Sequence, residues 1–375
     1  MKIVVNTRLL LKNNLDGIGW FTYETLKRIT RQHSEHEFVF LFDRKFSDEF
    51  IFSNNIRPIV ISPQARHPIL FYWWFEFSIP KILHKEKPDL FLSPDGFLSL
   101  STNVKQLAVI HDLNFEEYPH DLPFIVRKYY RYYFPKFSQK ANRIATVSEF
   151  SKQDIALRYK IPLQKIDVVH NGVNENYKPL IEEEKINTRK KISSGKPYFL
   201  FIGTIHPRKN IAKLFMSFDK FKSENINDMQ LMLVGNKMWW TTEMENVFQK
   251  MKFKNDVIFA GRLEPEQLGK VISSALAMVY VSTYEGFGIP ILEGMKCEIP
   301  VIASDVTSMP EVAGDACLLV NPFSVDEIKN AMQKIYSDKN FRKELVEKGK
   351  IQMENFSWQK TANKLWNCIE KTMNE

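Results

Sequence analysis

Arg208 and Lys209 stand side by side near the end of GTIHPRKN (203–210), directly before an apolar-periodic segment, Ile211–Phe221. Two cations at a helix N-terminus suit a diphosphate. The exposed N–H groups and the helix dipole favour negative charge there, and an arginine can hold two phosphate oxygens at once. Gly203 frees the backbone and Pro207 stiffens the loop. A solvated pair of loop cations is the plain alternative. Further on, YEGFGIPILEGM (284–295) reads as a strand ending at Glu285, a loop opened by Gly286 and Gly288, and a helix with Pro290 in its first turn. Glu293 lies one turn into that helix. Carboxylates repel phosphate but accept hydrogen bonds from sugar hydroxyls, so Glu285 and Glu293 suit a sugar. The N–H groups of Phe287, Gly288 and Ile289 would serve phosphate or sugar oxygens. A purely structural role for both acids is the competing reading.

Two weaker signals precede these. His111 and Asp112 follow an apolar run, Gln106–Ile110, where an imidazole could hydrogen-bond a substrate hydroxyl; a histidine capping its own turn would look the same. Gly17 and Gly19, in NLDGIGWF (14–21), open the segment Trp20–Arg31 and would let a phosphate approach the backbone. An ordinary turn needs glycine equally often, and the third glycine of a dinucleotide fingerprint is missing.

These residues need strands to hold them. Short apolar runs alternate with helix-period segments, in one series between Lys2 and His170 and a second between Tyr198 and Val320. Continuous apolar strands separated by helices predict parallel sheets covered on both faces, and two such series predict two doubly wound α/β domains. Ligands in such sheets collect beyond the carboxyl ends of the strands, which is where every residue above falls. Between the series, Asn174–Lys196 is charged and weakly apolar and reads as a linker. Ser324–Glu375 is helical, with Trp358 and Trp366 on one face of a last helix.

Composition narrows the classes. A chain of 375 residues exceeds one ordinary core, and 44% hydrophobic with 26% charged residues is globular. Three scattered cysteines give neither a disulfide framework nor a zinc site. Asn6, Thr7 and Arg8 interrupt the N-terminal apolar run before a signal-peptide core, and Ile69–Phe75 is far short of the roughly 20 residues that cross a bilayer. The expectation is a soluble, cytoplasmic chain. Its net charge of +8 is uneven: Leu122–Lys165 holds ten Lys or Arg against Glu149 and Asp154. Within it, RKYYRYYFPKF (127–137) mixes cations and rings, as an anionic membrane surface would need. Nucleic acid is a lesser possibility, and an amphipathic helix with tyrosines in a core is the plain one.

In order, DGIG (16–19), HDL (111–113), TVSEFSK (146–152), VVHNGV (168–173), GTIHPRKN, the Glu285–Glu293 stretch and PVIASDVTSMPEVAGDACLLVNP (300–322) resemble family-4 retaining glycosyltransferases over nearly the whole chain. The resemblance implies the GT-B fold, two doubly wound parallel-sheet domains facing across a cleft. The acceptor-side domain would be 1–175, with the helix 356–375 packing back onto it, and the nucleotide-sugar domain 190–355. It implies that Arg208 and Lys209 hold the donor diphosphate, that Glu285 meets the donor sugar and that Glu293 meets the ribose. His111 would lie near the sugar and the acceptor hydroxyl, Gly17 and Gly19 over the diphosphate, and Gly261, Arg262 and Leu263 beside the base. Glu298 departs from the pattern, standing where the family has glycine.

No carboxylate pair stands out as a glycosidase-like nucleophile and acid, and no metal motif is apparent. The missing metal motif predicts metal-free transfer without any cofactor, and the resemblance implies retention in transfer from a nucleotide-diphosphate sugar to a glycan or lipid-linked acceptor. GTIHPRKN with HDLNFEEYP (111–119) is most similar to mannosyltransferase-like members that build bacterial surface polysaccharides. GDP-mannose is the first expected donor, with UDP-hexoses open. A sugar-nucleotide epimerase on the same fold and a non-catalytic binding protein are the rival readings.

Overall fold

KIVVN, YFLFI and QLMLV are too apolar to leave either face in water, and each lies in the interior of a parallel sheet. The structure, a computed structural model, describes residues 1–224 and 227–374; position 375, the end of the expected last helix, lies outside them. It contains two compact units, Met1–Asn171 joined by the segment from Trp358 onward, and Gly172–Ser357.

The first unit holds β1 (Lys2–Asn6), β2 (Glu37–Phe42), β3 (Ile56–Val60), β4 (Leu90–Ser93), β5 (Lys105–Val109), β6 (Arg143–Thr146) and β7 (Ile166–Val168). They run parallel in the order β3-β2-β1-β4-β5-β6-β7, with Val4 opposite Val39 and Phe91. Pro58 sits in β3, at the edge, where a missing ladder N–H costs least. The second unit holds β8 (Tyr198–Ile202), β9 (Gln230–Val234), β10 (Val257–Gly261), β11 (Ala277–Tyr280), β12 (Val301–Ser304) and β13 (Leu318–Val320), parallel in the order β10-β9-β8-β11-β12-β13. Leu200 pairs with both Met232 and Met278. In each sheet the strand order reverses once, between β1 and β4 and between β8 and β11. The loops leaving the reversal point diverge to opposite faces and open a crevice.

The C-terminal helix Trp358–Asn374 belongs to the first unit. Thr361 donates to the His170 carbonyl at 2.7 Å, Lys371 pairs with Asp167 at 2.7 Å, and the Trp366 ring stacks on His33 at 3.6 Å. Trp358 and Trp366 are both buried.

The stretch expected to be a linker is not one. Within 174–196 the helix Glu182–Ile192 packs on the helix Pro265–Ser273, with Arg189 donating to the Ser274 carbonyl and Ser273 to the Lys178 carbonyl. It has no buried residue, hence no apolar stripe to reveal it. It is supported instead by Glu182, Glu183 and Glu184 at its positive end and Arg189, Lys190 and Lys191 at its negative end.

Candidate functional site

The crevice between β8 and β11 gathers the second unit's charged residues. Residues 203–210 leave β8 as a loop with one 3₁₀ turn, Pro207–Lys209, and enter the helix Ile211–Glu224. Asn210 takes the left-handed conformation at φ 61° that ends this turn, a geometry asparagine tolerates. Its amide donates to the carbonyls of Val281 (3.0 Å) and Pro322 (2.7 Å), tying the loop to both neighbouring connections. Thr283 N–H then donates to the Arg208 carbonyl at 2.8 Å. The two loops are held as one object.

That object brings Arg208, Lys209 and Glu285 together. Arg208 Nη1 donates to Glu285 Oε2 at 2.6 Å and to the Tyr284 carbonyl at 3.0 Å. Lys209 Nζ donates to Glu285 Oε1 and, at 2.7 Å, to the Tyr280 hydroxyl, which itself donates to Glu285 Oε1 at 2.8 Å. Lys209 and Glu285 are buried. Burial alone would raise the Glu285 carboxyl, but Arg208 and then Lys209 outweigh it and hold it down to about 2. Burial and the Glu285 charge push the Tyr280 hydroxyl well up, so it stays a proton donor. The cluster sets two cations on one carboxylate.

Glu285 is not at the end of its strand, as the sequence reading had it. β11 stops at Tyr280, and Glu285 lies five residues on, in a loop pinned from below. Ser308 Oγ donates to the carbonyls of Glu285 and Phe287, both at 2.9 Å, and Ser304 Oγ to the Ser282 carbonyl at 2.6 Å. With its carbonyls turned toward these serines, the loop leads through Gly288, at φ 108°, into the helix Ile289–Lys296, which has no side-chain cap. Gly286, Phe287 and Gly288 are buried, and the Phe287 ring meets Phe356 edge to face at 5.8 Å. Glu293, inside the helix, is partly buried, and burial pushes its carboxyl up to about 7.

Tyr280, Asn210, Ser304 and Ser308 were not singled out from sequence, and neither was Gly235. A Cβ on Gly235, at φ 141°, would lie 2.0 Å from the Gly203 carbonyl oxygen. Glycine there lets the ends of β8 and β9 close up. GN directly after the apolar run QLMLV was the available signal. Arg262 and Leu263 lie beyond β10, exposed and half-buried respectively, one strand further along from β9; Gly261, at φ 68°, ends that strand.

In the first unit, His111 follows β5. Its Nε2 lies 2.9 Å from the Pro94 carbonyl, which can only accept, so Nε2 carries the proton and Nδ1 is the acceptor of the neutral ring. Burial lowers its pKa and keeps it neutral. Phe21 packs against the ring at 4.9 Å, edge to face. Gly17 and Gly19 belong to the helix Gly17–Gln32, which begins three residues earlier than expected. The Gly19 N–H is taken by Asp16 at 2.8 Å, and a Cβ there would come 3.1 Å from Leu15 and from the Leu9 carbonyl. Gly19 therefore serves packing, while space around Gly17 is open within 4 Å.

Several cations of the charge window 122–165 pair with acids inside it or just outside. Arg131 pairs with Glu116 (3.0 Å), Arg143 with Asp167 (2.8 Å), and Arg158 with Asp154 and Glu117. Of the rings in 127–137, Tyr129, Phe134 and Phe137 are buried and only Tyr132 is exposed. Among the described residues no helix is long and apolar enough to cross a membrane.

Comparison with known proteins agrees with this architecture. The model "Glycosyltransferase Family 4" matches residues 15–177 and "Glycosyl transferases group 1" matches 182–352. "O-antigen chain mannosyltransferase B" of Escherichia coli is 27% identical over 100% of this chain and 99% of its own length. "O-antigen chain mannosyltransferase RfbU" of Salmonella typhimurium is 30% identical over 61% of this chain and 60% of its own. The crystal structure of Anabaena Alr3699/HepE in complex with UDP and glucose superposes with a TM-score of 0.77 at 14% identity, covering 99% of each chain. The two doubly wound units are those of the GT-B fold. The chain belongs to the family-4-like glycosyltransferases.

Proposed function

We propose that this enzyme transfers mannose, with retention of anomeric configuration, from GDP-mannose to a hydroxyl of a glycan or lipid-linked glycan during surface polysaccharide synthesis. The Arg208–Glu285–Lys209 cluster at the strand reversal carries the reading. It is a rigid cation pair, Lys209 buried and Arg208 half-buried, and a diphosphate is the donor part that matches it. Glu285 and Glu293 supply the acceptors for sugar and ribose hydroxyls. The sugar follows the mannosyltransferase relatives.

In the reaction, the bond from the anomeric carbon to the diphosphate oxygen breaks and the acceptor oxygen bonds that carbon on the same face. The acceptor proton passes to the leaving diphosphate. Arg208 and Lys209 stabilise the charge growing on that diphosphate, and preorganisation by Asn210, Ser304 and Ser308 removes the cost of assembling them. His111, neutral with Nδ1 as acceptor, can take a hydrogen bond from a sugar hydroxyl. The reaction needs no metal; loss of transfer on adding EDTA, restored by a divalent ion, would overturn that.

A thermal-shift series with GDP, UDP, dTDP and ADP tests the donor. Stabilisation by GDP alone, by a few kcal/mol at saturating ligand, is expected. A UDP response would keep the transferase and remove mannose, and no response to any would remove the donor site. The enzyme acts on the cytoplasmic side of the membrane, where it would meet lipid-linked acceptors.

A further inference from the structure

The first unit exposes a row of large apolar side chains that its own core does not use. The turns Pro68–Trp73, Trp74–Ser78 and Ile79–Glu86 form one continuous helical stretch. Phe71, Trp74, Phe75, Ile79 and Leu83 are buried on one side of it. On the other, Ile69, Tyr72, Trp73 and Phe77 are 42–68% exposed. The helix Phe124–Lys140 packs alongside, and contributes Phe124, Ile125 and Tyr132, each 57% exposed. Ring contacts join the two helices into one strip: Trp73 to Phe77 at 5.1 Å, Phe77 to Tyr72 at 5.9 Å, Tyr72 to Tyr133 at 6.1 Å and Tyr133 to Tyr132 at 4.9 Å.

Cations border this strip. Lys136 Nζ lies 3.6 Å from the Tyr132 ring centre and Lys128 Nζ 4.4 Å from that of Phe124. The helix Phe124–Lys140 contains no acid, and the one acid between Pro68 and Lys85, Glu76, is turned inward to accept from Leu100 N–H at 2.8 Å. Rings and isoleucines that favour the acyl–headgroup boundary, with lysines along one side, are what an anionic bilayer selects. A two-fold self-association would set lysine against lysine. Ile69 and Ile125 offer nothing to a nucleic-acid chain.

We infer that this strip, not the broader basic window, is a docking surface for anionic lipid bilayers, with Trp73 and Phe77 entering the interface and Lys128 and Lys136 meeting headgroups. The inference does not depend on which sugar or donor the enzyme uses. Sedimentation of the full chain with vesicles tests it. Binding is expected to phosphatidylcholine vesicles containing about one-fifth phosphatidylglycerol, weakened by salt, and little to phosphatidylcholine alone. Replacing both Lys128 and Lys136 by Gln should lower partitioning about thirtyfold, as two surface cations do on an anionic leaflet. The Trp73→Ala, Phe77→Ala double variant should abolish it. Each variant should keep the wild-type melting shift with nucleoside diphosphate, which separates lost docking from lost folding or a failed donor site. Undiminished vesicle binding in both variants, or a concentration-dependent dimer that the Trp73→Ala, Phe77→Ala change dissolves, would overturn the inference.

Discussion

Arg208 Nη1 lies 2.6 Å from Glu285 Oε2, 77 positions away in sequence, and the contact is made by a carboxylate inside a site suited to phosphate. An internal anion of this kind holds the buried Lys209 and the half-buried Arg208 in place. It also competes with any anion that enters. A buried pair of this sort is costly to break on one side and nearly neutral to replace whole.

Arg208→Ala and Lys209→Ala should each lower kcat/KM by the equivalent of about 2–4 kcal/mol, as removal of one charge-stabilising donor does. On the proposed role, with both cations on one diphosphate, the double variant should lose less than the sum. Steady-state kinetics on the purified variants decides this; unchanged turnover in either removes that residue from the reaction.

Glu285→Ala should separate binding from catalysis. Removing the carboxylate that both cations share should cost about 3–5 kcal/mol of folding stability. Inorganic pyrophosphate should bind the variant more tightly, since its internal competitor is gone, while sugar transfer falls. In the parent protein Glu285 sits at about 2 against an ordinary 4.5. The folded chain thus holds fewer protons than the unfolded one between those values, so stability should fall as pH drops from about 4.5 through 2. Calorimetric titration with pyrophosphate and urea melts at several pH values check both parts.

Glu293 behaves in the opposite sense. Its carboxyl is raised from 4.5 to about 7, so the folded chain holds the extra proton and stability falls as pH rises from about 4.5 to 7. The loss should reach about 3 kcal/mol and persist above pH 7. Glu293→Gln should therefore melt higher than the parent at pH 8. If Glu293 accepts from ribose hydroxyls as the carboxylate, nucleotide affinity in the parent should strengthen as pH rises through 7, and the variant should lose that dependence. A flat affinity profile in the parent would remove the ribose role.

Ser308→Ala should loosen the loop that carries Glu285. The single proton of the Ser308 hydroxyl is shared between two buried carbonyls, so its loss should cost about 1–3 kcal/mol of stability. It should also lower kcat with little change in the nucleotide dissociation constant, because Asn210 still ties the Arg208–Lys209 loop to the carbonyls of Val281 and Pro322. Equal losses in both quantities would place Ser308 in general packing instead.

Strands and helices were legible in this sequence because their signal is local. YFLFI or AMVY can only be the interior of a covered sheet, and the two series of such runs define two doubly wound units without reference to contacts. The glycosyltransferase motifs are equally local, each a short continuous stretch at or near the end of a strand. What only the tertiary structure decided is how those pieces meet. Nothing near Arg208 says that Glu285 will be its partner; that follows from β8 and β11 being neighbours although β9 and β10 come between them in sequence. Periodicity likewise could not say which tyrosines of RKYYRYYFPKF face inward, since rings and cations recur at nearly every position. Packing against Phe71 and Phe97 settles that question, burying Tyr129 and leaving Tyr132 exposed. The helix Glu182–Ile192 shows the same limit: with no apolar stripe, its place on the second unit rests on capping charges and two side-chain bonds to backbone carbonyls. Chain pattern encodes an element and the face it must bury, whereas burial against a distant partner is a property of the whole fold.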